Sequence, residues 1–536
     1  VPSGPTLERA TLTVFHTSDL HSHVFPQRFV ASSRDQALGL GEAGEPTTAG
    51  GFARLGALLE VERLRAERSL YLDSGDLFQG SLVYDRFGGE AELVGMAALR
   101  LDAMVLGNHD LDDGAEPLAE LIERFGTFPV LSTNYVSATR SSPYVPWVIF
   151  DVGGLRVGVV GVANVESVGA LERGSDALGL LPRVEAEALR ETLALLSPIS
   201  DVTLALSHLG LDGDRALVRE TWGLDLVLGG HQHLALEAPE FERDAGGREV
   251  PIVHSGAYGR YLGRVRLSLA RGRLPELGLE RVGFDYALLP VAEGSPESQE
   301  IARVLAPYGQ VIESEDRAFA YVESALARRA PGGGDSGLAN LVADAAWLAA
   351  PGDLALVTSS SLRADLAPGP LTPSALYEAL PFDDPLVRVV LRGRDLERLY
   401  EALSERAVRY GCETPVLVAG AALRFRCGKG VVEGGLFPVR GARTCSRDAD
   451  CEGGRCAPSS SGARHCFRKA PSEALFRLVT TRFLLEDYAV TARAEIVGAT
   501  LRSAVEQRLA SGAPQCPDHL PCVRAPAVGR VEMGGK

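Results

Sequence analysis

The stretch FHTSDLHSHVFP, Phe15 to Pro26, sets Asp19, His21 and His23 directly after the β-like run LTVFHTS. Alone, a carboxylate and two imidazoles at a strand end read equally well as the polar start of a loop. Four further segments repeat the arrangement: Asp76 in SGD, Asn108 and His109 in GNHD, His208 in SH, and His231 with His233 in GHQH. The chain has 10 histidines, and seven (His21, His23, His109, His208, His231, His233 and His254) fall at or beside such turns, so the clustering is not the background of a His-rich protein. Imidazole, carboxylate and amide oxygen together suit borderline and hard divalent ions such as zinc, manganese or magnesium. Neighbouring glycines let the backbone bend tightly and approach an ion.

The elements that must position these residues are short. SLYLDSGD, AMVLGNHD, LRVGVVGVANV, DVTLALSHLG, LDLVLGGHQH and PIVHSGAYG each read as a strand ending in a polar or glycine-rich loop, and helical patterns such as GFARLGALLEVERLRAER and AEALRETLALLS separate them. This alternation predicts an α/β domain over residues 1–290, with functional groups gathered at strand ends. ESQEIARVLAPYGQVIE reads as a connecting helix within 291–316. A second domain over 317–536 opens with the helical GLANLVADAAWLAA, followed by LALVTSSSLRADL and LTPSALYEALPF. A Cys-rich patch at about 440–469 reads as an insertion in it, and no internal repeat is evident.

At 536 residues the chain is too long for one core. Lys+Arg 54 against Asp+Glu 70 gives a net charge of -16, which repels a polyphosphate backbone and excludes long nucleic acid as a partner. A small anionic substrate stays compatible where metals or arginines make a site locally positive. No run of about 18 apolar residues offers a membrane-spanning helix. The sequence starts at Val1 without Met, which points to a processed or trimmed N-terminus.

All 8 cysteines lie from Cys412 onward. Cys445, Cys451, Cys456 and Cys466 sit in a Gly- and Ser-rich segment with almost no apolar residues, which needs staples to hold a shape. Zinc is the rival explanation, but the paired C-x2-C knuckles of zinc ribbons are missing. Cys516 and Cys522 could close a further loop. Disulfides imply an oxidising compartment, secreted or periplasmic; a cytosolic protein with free thiols is the alternative.

The ordered series DLH, GD, GNHD, SH and GHQH resembles that of the calcineurin-like metallophosphoesterases, and the second domain resembles their 5′-nucleotidase and UDP-sugar hydrolase branch. The resemblance implies a four-layer α/β/β/α domain followed by a smaller α/β domain of the 5′-nucleotidase C-terminal type. It also implies two divalent ions (zinc, manganese, magnesium or calcium), one held by Asp19, His21, Asp76 and His233, the other by Asp76, Asn108, His208 and His231. Asp76 would bridge them, with His23 a neighbour only. Such a pair of ions activates water and clamps phosphoryl oxygens for in-line displacement without a covalent nucleophile. His109 would face the phosphate, with Asp112 orienting its ring. A helix cap with a nearby charge is the plainer reading of that dyad.

In the second domain the resemblance assigns Arg363 to the phosphate or nucleoside, Phe382 and Phe483 to stacking on a base, and Asp487 to ribose hydroxyls. Outside the resemblance, a lone Phe reads as core. The chain departs from the family where NGGGIR becomes TSSSLR, with Thr358, Ser359, Ser360 and Ser361, and where GGDGY shortens to LEDY. A phosphate-binding arginine before GLANLVADA is replaced by glycines, leaving Arg328 or Arg329 as substitutes. The expected function is dimetal hydrolysis of a small phosphate ester, most simply a nucleotide, in nucleotide catabolism, by a monomer or homodimer. A 2′,3′-cyclic phosphodiesterase, a thiosulfohydrolase and a binding protein without turnover are the alternatives.

Overall fold

In the computed structural model the first half of the chain builds two six-stranded sheets laid face to face. The structure describes residues 8–137, 144–164, 180–271, 279–409, 411–428, 431–459, 461–490, 492–512 and 515–534. The chain divides into two units between Glu313 and Ser314.

In the first sheet the strands Arg9–Thr17, Ser69–Asp73, Ala103–Val105 and Val130–Leu131 run parallel in that order. The antiparallel hairpin Tyr261–Arg271 and Leu279–Pro290 extends it beyond Arg9–Thr17. In the second sheet Leu155–Val162, Val202–Ser207, Leu226–Gly229 and Glu249–His254 are parallel, flanked by antiparallel Trp147–Val152 and Glu240–Arg243.

Burial on both faces explains the near-continuous apolar runs of the central strands. Leu12 and Val14 point into the core between the sheets, and Phe15 points outward to the helices. Leu226 and Leu228 likewise face the other sheet, while Val227 meets the outer layer. The outer helices show helical spacing. Phe52, Leu55 and Leu59 of Phe52–Leu64 cover the first sheet, and Leu189, Leu193 and Leu196 of Glu185–Leu196 cover the second. The result is the four-layer α/β/β/α order that the resemblance implies. The helix Gln299–Glu315 lays Ile301 and Leu305 against the core that carries Phe52 and Leu99.

The second unit is built on a mixed five-stranded sheet ordered Val416–Ala419, Leu354–Thr358, Leu475–Thr481, Pro385–Arg392, Glu495–Thr500. Side chains alternate here too. Ala355 and Val357 join Gly337–Ala349 and Leu501–Ala510 on one face, and Leu354 and Leu356 join Leu396, Leu399 and Leu403 of Gly393–Arg409 on the other. The Cys-rich patch is a small sheet of Val439–Thr444, Arg455–Pro458 and Arg464–Arg468. Cys445 pairs with Cys456, Cys451 with Cys466 and Cys516 with Cys522. Cys412 is disulfide-bonded as well, and the side chain of Cys427 lies outside the described residues. No described cysteine is free, so the thiolates that zinc requires are not available.

Candidate dimetal centre

The parallel strands of both sheets end at one place. Asp19 follows Arg9–Thr17, Asp76 follows Ser69–Asp73 and Asn108 follows Ala103–Val105; from the other sheet, His208 follows Val202–Ser207, and His231 and His233 follow Leu226–Gly229. The candidate ligands form two groups. Single donor atoms of Asp19, His21 and His233 lie within 4.8 Å of one another, as do those of Asp76, His208 and His231. Each group takes residues from both sheets. Asp76 stands between them, its Oδ2 3.1 Å from His208 Nε2 and 3.7 Å from His21 Nε2. His233 Nε2 lies 3.0 Å from His21 Nε2 and 3.6 Å from Asp19 Oδ1.

Three observations fit divalent cations here. His21 Nδ1 donates to Gln79 O at 2.9 Å and His208 Nδ1 to Ser74 O at 2.6 Å, which turns each Nε2 toward the carboxylates as a potential ligand. Asn108 Oδ1 is buried without a hydrogen-bond donor. Finally, the charges are unbalanced. Burial raises Asp19 to about 7, with the neighbouring Asp76 charge adding to the rise and His208 opposing it. Burial pulls His208 down, but Asp76 and Asp19 outweigh it and carry the imidazole to about 10, while His208, His109 and His21 hold Asp76 well below the usual carboxylate range against its burial. Without a cation, protons must do the neutralising, and a metal would displace them.

The backbone at the site is unusual. Asp19, His21, Asp76, His231 and His233 all adopt left-handed φ, between 46° and 78°, which non-glycine residues rarely hold. The buried Asp110 carboxylate fixes one such turn by accepting from the N–H groups of Gly107, Leu77, Phe78 and Asp76 at 2.7 to 3.2 Å. Glycine is obligatory at Gly107 for space, since a Cβ there would lie 2.2 Å from Asp76 N and Oδ1. A Cβ on Gly230 would lie 2.8 Å from Ser74 O.

His109 stands beside the first group, its ring 5.4 Å from that of His21. Its Nδ1 is 2.8 Å from Asp112 Oδ2, and its N–H donates to Asp76 Oδ1 at 2.8 Å. His23 is outside both groups: its ring lies tilted against that of Tyr258 with centroids 4.6 Å apart, and burial, with Arg260 nearby, lowers it to about 4.

In the second unit, Arg363 lies over the Phe382 ring at 5.7 Å and lines a cavity of about 270 Å³ together with Arg328, Arg329 and Arg406. Both candidate substitute arginines therefore share a cavity with Arg363. Phe483 lies in Arg482–Asp487, and its N–H donates to Asp384 at 3.4 Å, two residues beyond Phe382. Asp487 is ion-paired with Arg406. Thr358 is buried and hydrogen-bonded to Ser361 at 3.0 Å.

The sequence reading missed Asp110, whose partners are all backbone N–H groups, and Arg406, which helical periodicity marks only as one polar position among several. The D in GNHD was the one available signal for Asp110.

Residues 12–235 match the calcineurin-like phosphoesterase family and residues 311–425 the 5′-nucleotidase C-terminal domain. The chain is 32% identical to the 5′-nucleotidases of Rattus norvegicus, over 50% of its length and 48% of theirs, and of Homo sapiens, over 48% and 46%. It thus spans about half the length of the curated relatives it matches. Among solved structures, the 5′-nucleotidase precursor of Thermus thermophilus superposes with a TM-score of 0.79 at 24% identity, covering 98% of this chain and 100% of that one. The sulfate thiohydrolase SoxB of T. thermophilus gives 0.72 at 20% identity, over 97% and 96%; both share the fold. The chain thus carries a calcineurin-like phosphoesterase domain followed by a 5′-nucleotidase C-terminal domain.

Proposed function

We propose that the chain is a dimetal phosphoesterase that hydrolyses nucleoside monophosphates and similar small phosphate esters. The observation that carries this reading is the pair of His/Asp groups with Asp76 between them and the His109–Asp112 dyad alongside. Asp19, His21, Asp76 and His233 would hold one ion and Asp76, Asn108, His208 and His231 the other; bound there, the ions supply Lewis acidity toward phosphoryl oxygens and lower the pKa of a water. Asp112, on Nδ1 of His109, stabilises the protonated ring and orients it so that Nε2–H would face the substrate. That proton can stabilise the transferring phosphoryl group and then pass to the leaving oxygen, a contribution of roughly 10² to 10⁴-fold.

The second unit's part is recognition. Phe382 and Phe483 would stack on a base, Arg363 would bind an anion and Asp487 would meet ribose hydroxyls. The inward-turned Thr358 hydroxyl leaves few groups to read a base edge, so adenosine, guanosine and uridine monophosphates should be cleaved with similar efficiency. A second reading rests on the Arg406–Asp487 pair, which occupies that carboxylate and favours phosphate esters without a ribose. The disulfides support an extracytoplasmic location.

The test is a substrate panel of nucleotides, cyclic nucleotides and sugar-free monoesters, on protein stripped of metal and reloaded with manganese, zinc, magnesium or calcium. Hydrolysis should vanish on stripping and return on reloading, and Asp76→Asn should abolish most of it. Equal turnover by Asp76→Asn at saturating metal would refute the dimetal reading.

A further inference from the structure

Behind the candidate ligands lies a fully buried group that the reaction does not use. Asp214, on the helix Leu211–Glu220, accepts from Ser207 Oγ at 2.5 Å through Oδ1 and from His254 Nε2 at 2.8 Å through Oδ2. Asp214, Ser207 and His254 are each 0% exposed. Ser207 immediately precedes His208. His254 pairs in register with Gly229, at the root of the turn that carries His231 and His233. The fit there is tight: a Cβ on Gly229 would lie 2.2 Å from His254 Nε2 and 2.3 Å from Asp214 Oδ2. One carboxylate thus ties the end of Val202–Ser207 to the end of Glu249–His254 across the intervening Leu226–Gly229, and two of these three strands lead into candidate ligands.

A second tie meets it from the other sheet. Ser74 Oγ donates to Leu228 O at 2.7 Å, so His16 Nε2, 2.9 Å from the same hydroxyl, must donate to it. Ser74 O in turn receives His208 Nδ1. His208 is therefore held through its ring by Ser74 and through its backbone neighbour by Asp214.

We infer that Asp214 and His254 are positioning residues for the metal centre: they fix the ends of Val202–Ser207 and Leu226–Gly229 so that His208 and His231 face Asp76. The inference rests on the dimetal reading above. Groups that orient metal ligands from behind typically contribute 10 to 100-fold in metal affinity.

The test is zinc affinity of the full chain, measured by competition with a chromophoric chelator, alongside the melting temperature of the metal-free protein. Asp214→Asn and His254→Leu should weaken zinc binding about 10 to 100-fold. His254→Gln, whose amide can still donate to Asp214, should keep affinity within about threefold of the parent. Val227→Ala removes apolar packing on the same outer face of Leu226–Gly229 while leaving the hydrogen bonds of Asp214 in place, and should lower the melting temperature without changing zinc affinity. Parental affinity in both Asp214→Asn and His254→Leu would overturn the inference. So would an equal loss in Val227→Ala, since the effect would then be general loosening. Failure of the parent chain to bind zinc or manganese would instead overturn the dimetal reading, and the inference with it.

Discussion

Replacing Gly107 by alanine adds one methyl group at the tightest point of the centre. That carbon would lie 2.2 Å from Asp76 N and Oδ1 and 2.9 Å from its Cα. Non-bonded carbon contacts are favourable only near about 3.5 to 4.0 Å, so Asp76 or Gly107 must retreat by more than about 1 Å. Neither has a soft direction to move. Gly107 N–H and Asp76 N–H are both held by Asp110, and His109 N–H is held by Asp76 itself. Gly107 does not hold a left-handed φ, so alanine's backbone preference is not the obstacle and the effect isolates position. A misplacement of about 1 Å can cost roughly 10²-fold in rate, and overpacking adds a stability loss of about 1 to 3 kcal/mol. The assay is kcat/KM for phosphate release from AMP at saturating manganese, with metal content and a thermal melt of the same samples. The expected result is a loss of at least about 10²-fold in kcat/KM in a protein that still folds. Activity within threefold of the parent, at full metal content, would refute the idea that Asp76 is held in place by steric fit.

His109→Ala should keep its metals and lose roughly 10² to 10⁴-fold in kcat; metal content per chain separates this from a ligand role. Glu92 is fully enclosed, and burial, partly offset by the Ser22 hydroxyl, pushes its carboxyl up to about 7. Between the unfolded value near 4.5 and about 7 the folded state binds the extra proton, so stability falls as pH rises through that window, by at most about 3 kcal/mol. Denaturant melts of Glu92→Gln across pH 4 to 8 should show that loss removed. Phe483→Ala should raise KM for all nucleoside monophosphates together, with about 1 to 3 kcal/mol lost if the ring stacks on a base; unchanged KM on every nucleotide would favour a substrate without one. Removing the Cys451–Cys466 bridge, which closes a 15-residue separation, should cost about 3 kcal/mol in the entropic model and free the Cys-rich sheet to proteolysis first.

Much of the first unit was legible because its central strands are buried on both faces and end abruptly in Asp, Asn or His beside Gly. In SGD, GNHD and GHQH those two features mark element and candidate site together, whereas Glu249–His254 has the same ending and turns His254 to Asp214. The long hairpin Tyr261–Arg271 and Leu279–Pro290 was not read. Its strand YLGRVRLSLAR is interrupted by Gly263 and three arginines, and its apolar residues Leu262, Val265, Leu267 and Leu269 divide between two core layers. The left-handed φ at Asp19 or His231 has no signature in residue type, because it is imposed by the surrounding turns. Asp214 has no distinguishing signal among the charged residues of LDGDRALVRE; only the folded chain shows it turned inward to Ser207 and His254. In the second unit the cavity arginines are separated by tens of residues, and only the fold brings Arg328, Arg363 and Arg406 together.

Because each His/Asp group takes ligands from both sheets, an ion bound by either one would work as a rivet through the sandwich. Its binding energy then counts toward keeping the two sheets joined. At a free metal concentration 100 times the dissociation constant, each rivet adds about 2.7 kcal/mol to the unfolding free energy. A chelator would in that case act as a denaturant selective for the first unit, lowering its melting temperature in a metal-dependent way while the second unit's transition stays put. Metal supply would set how long the folded catalytic unit survives as well as how fast it turns over.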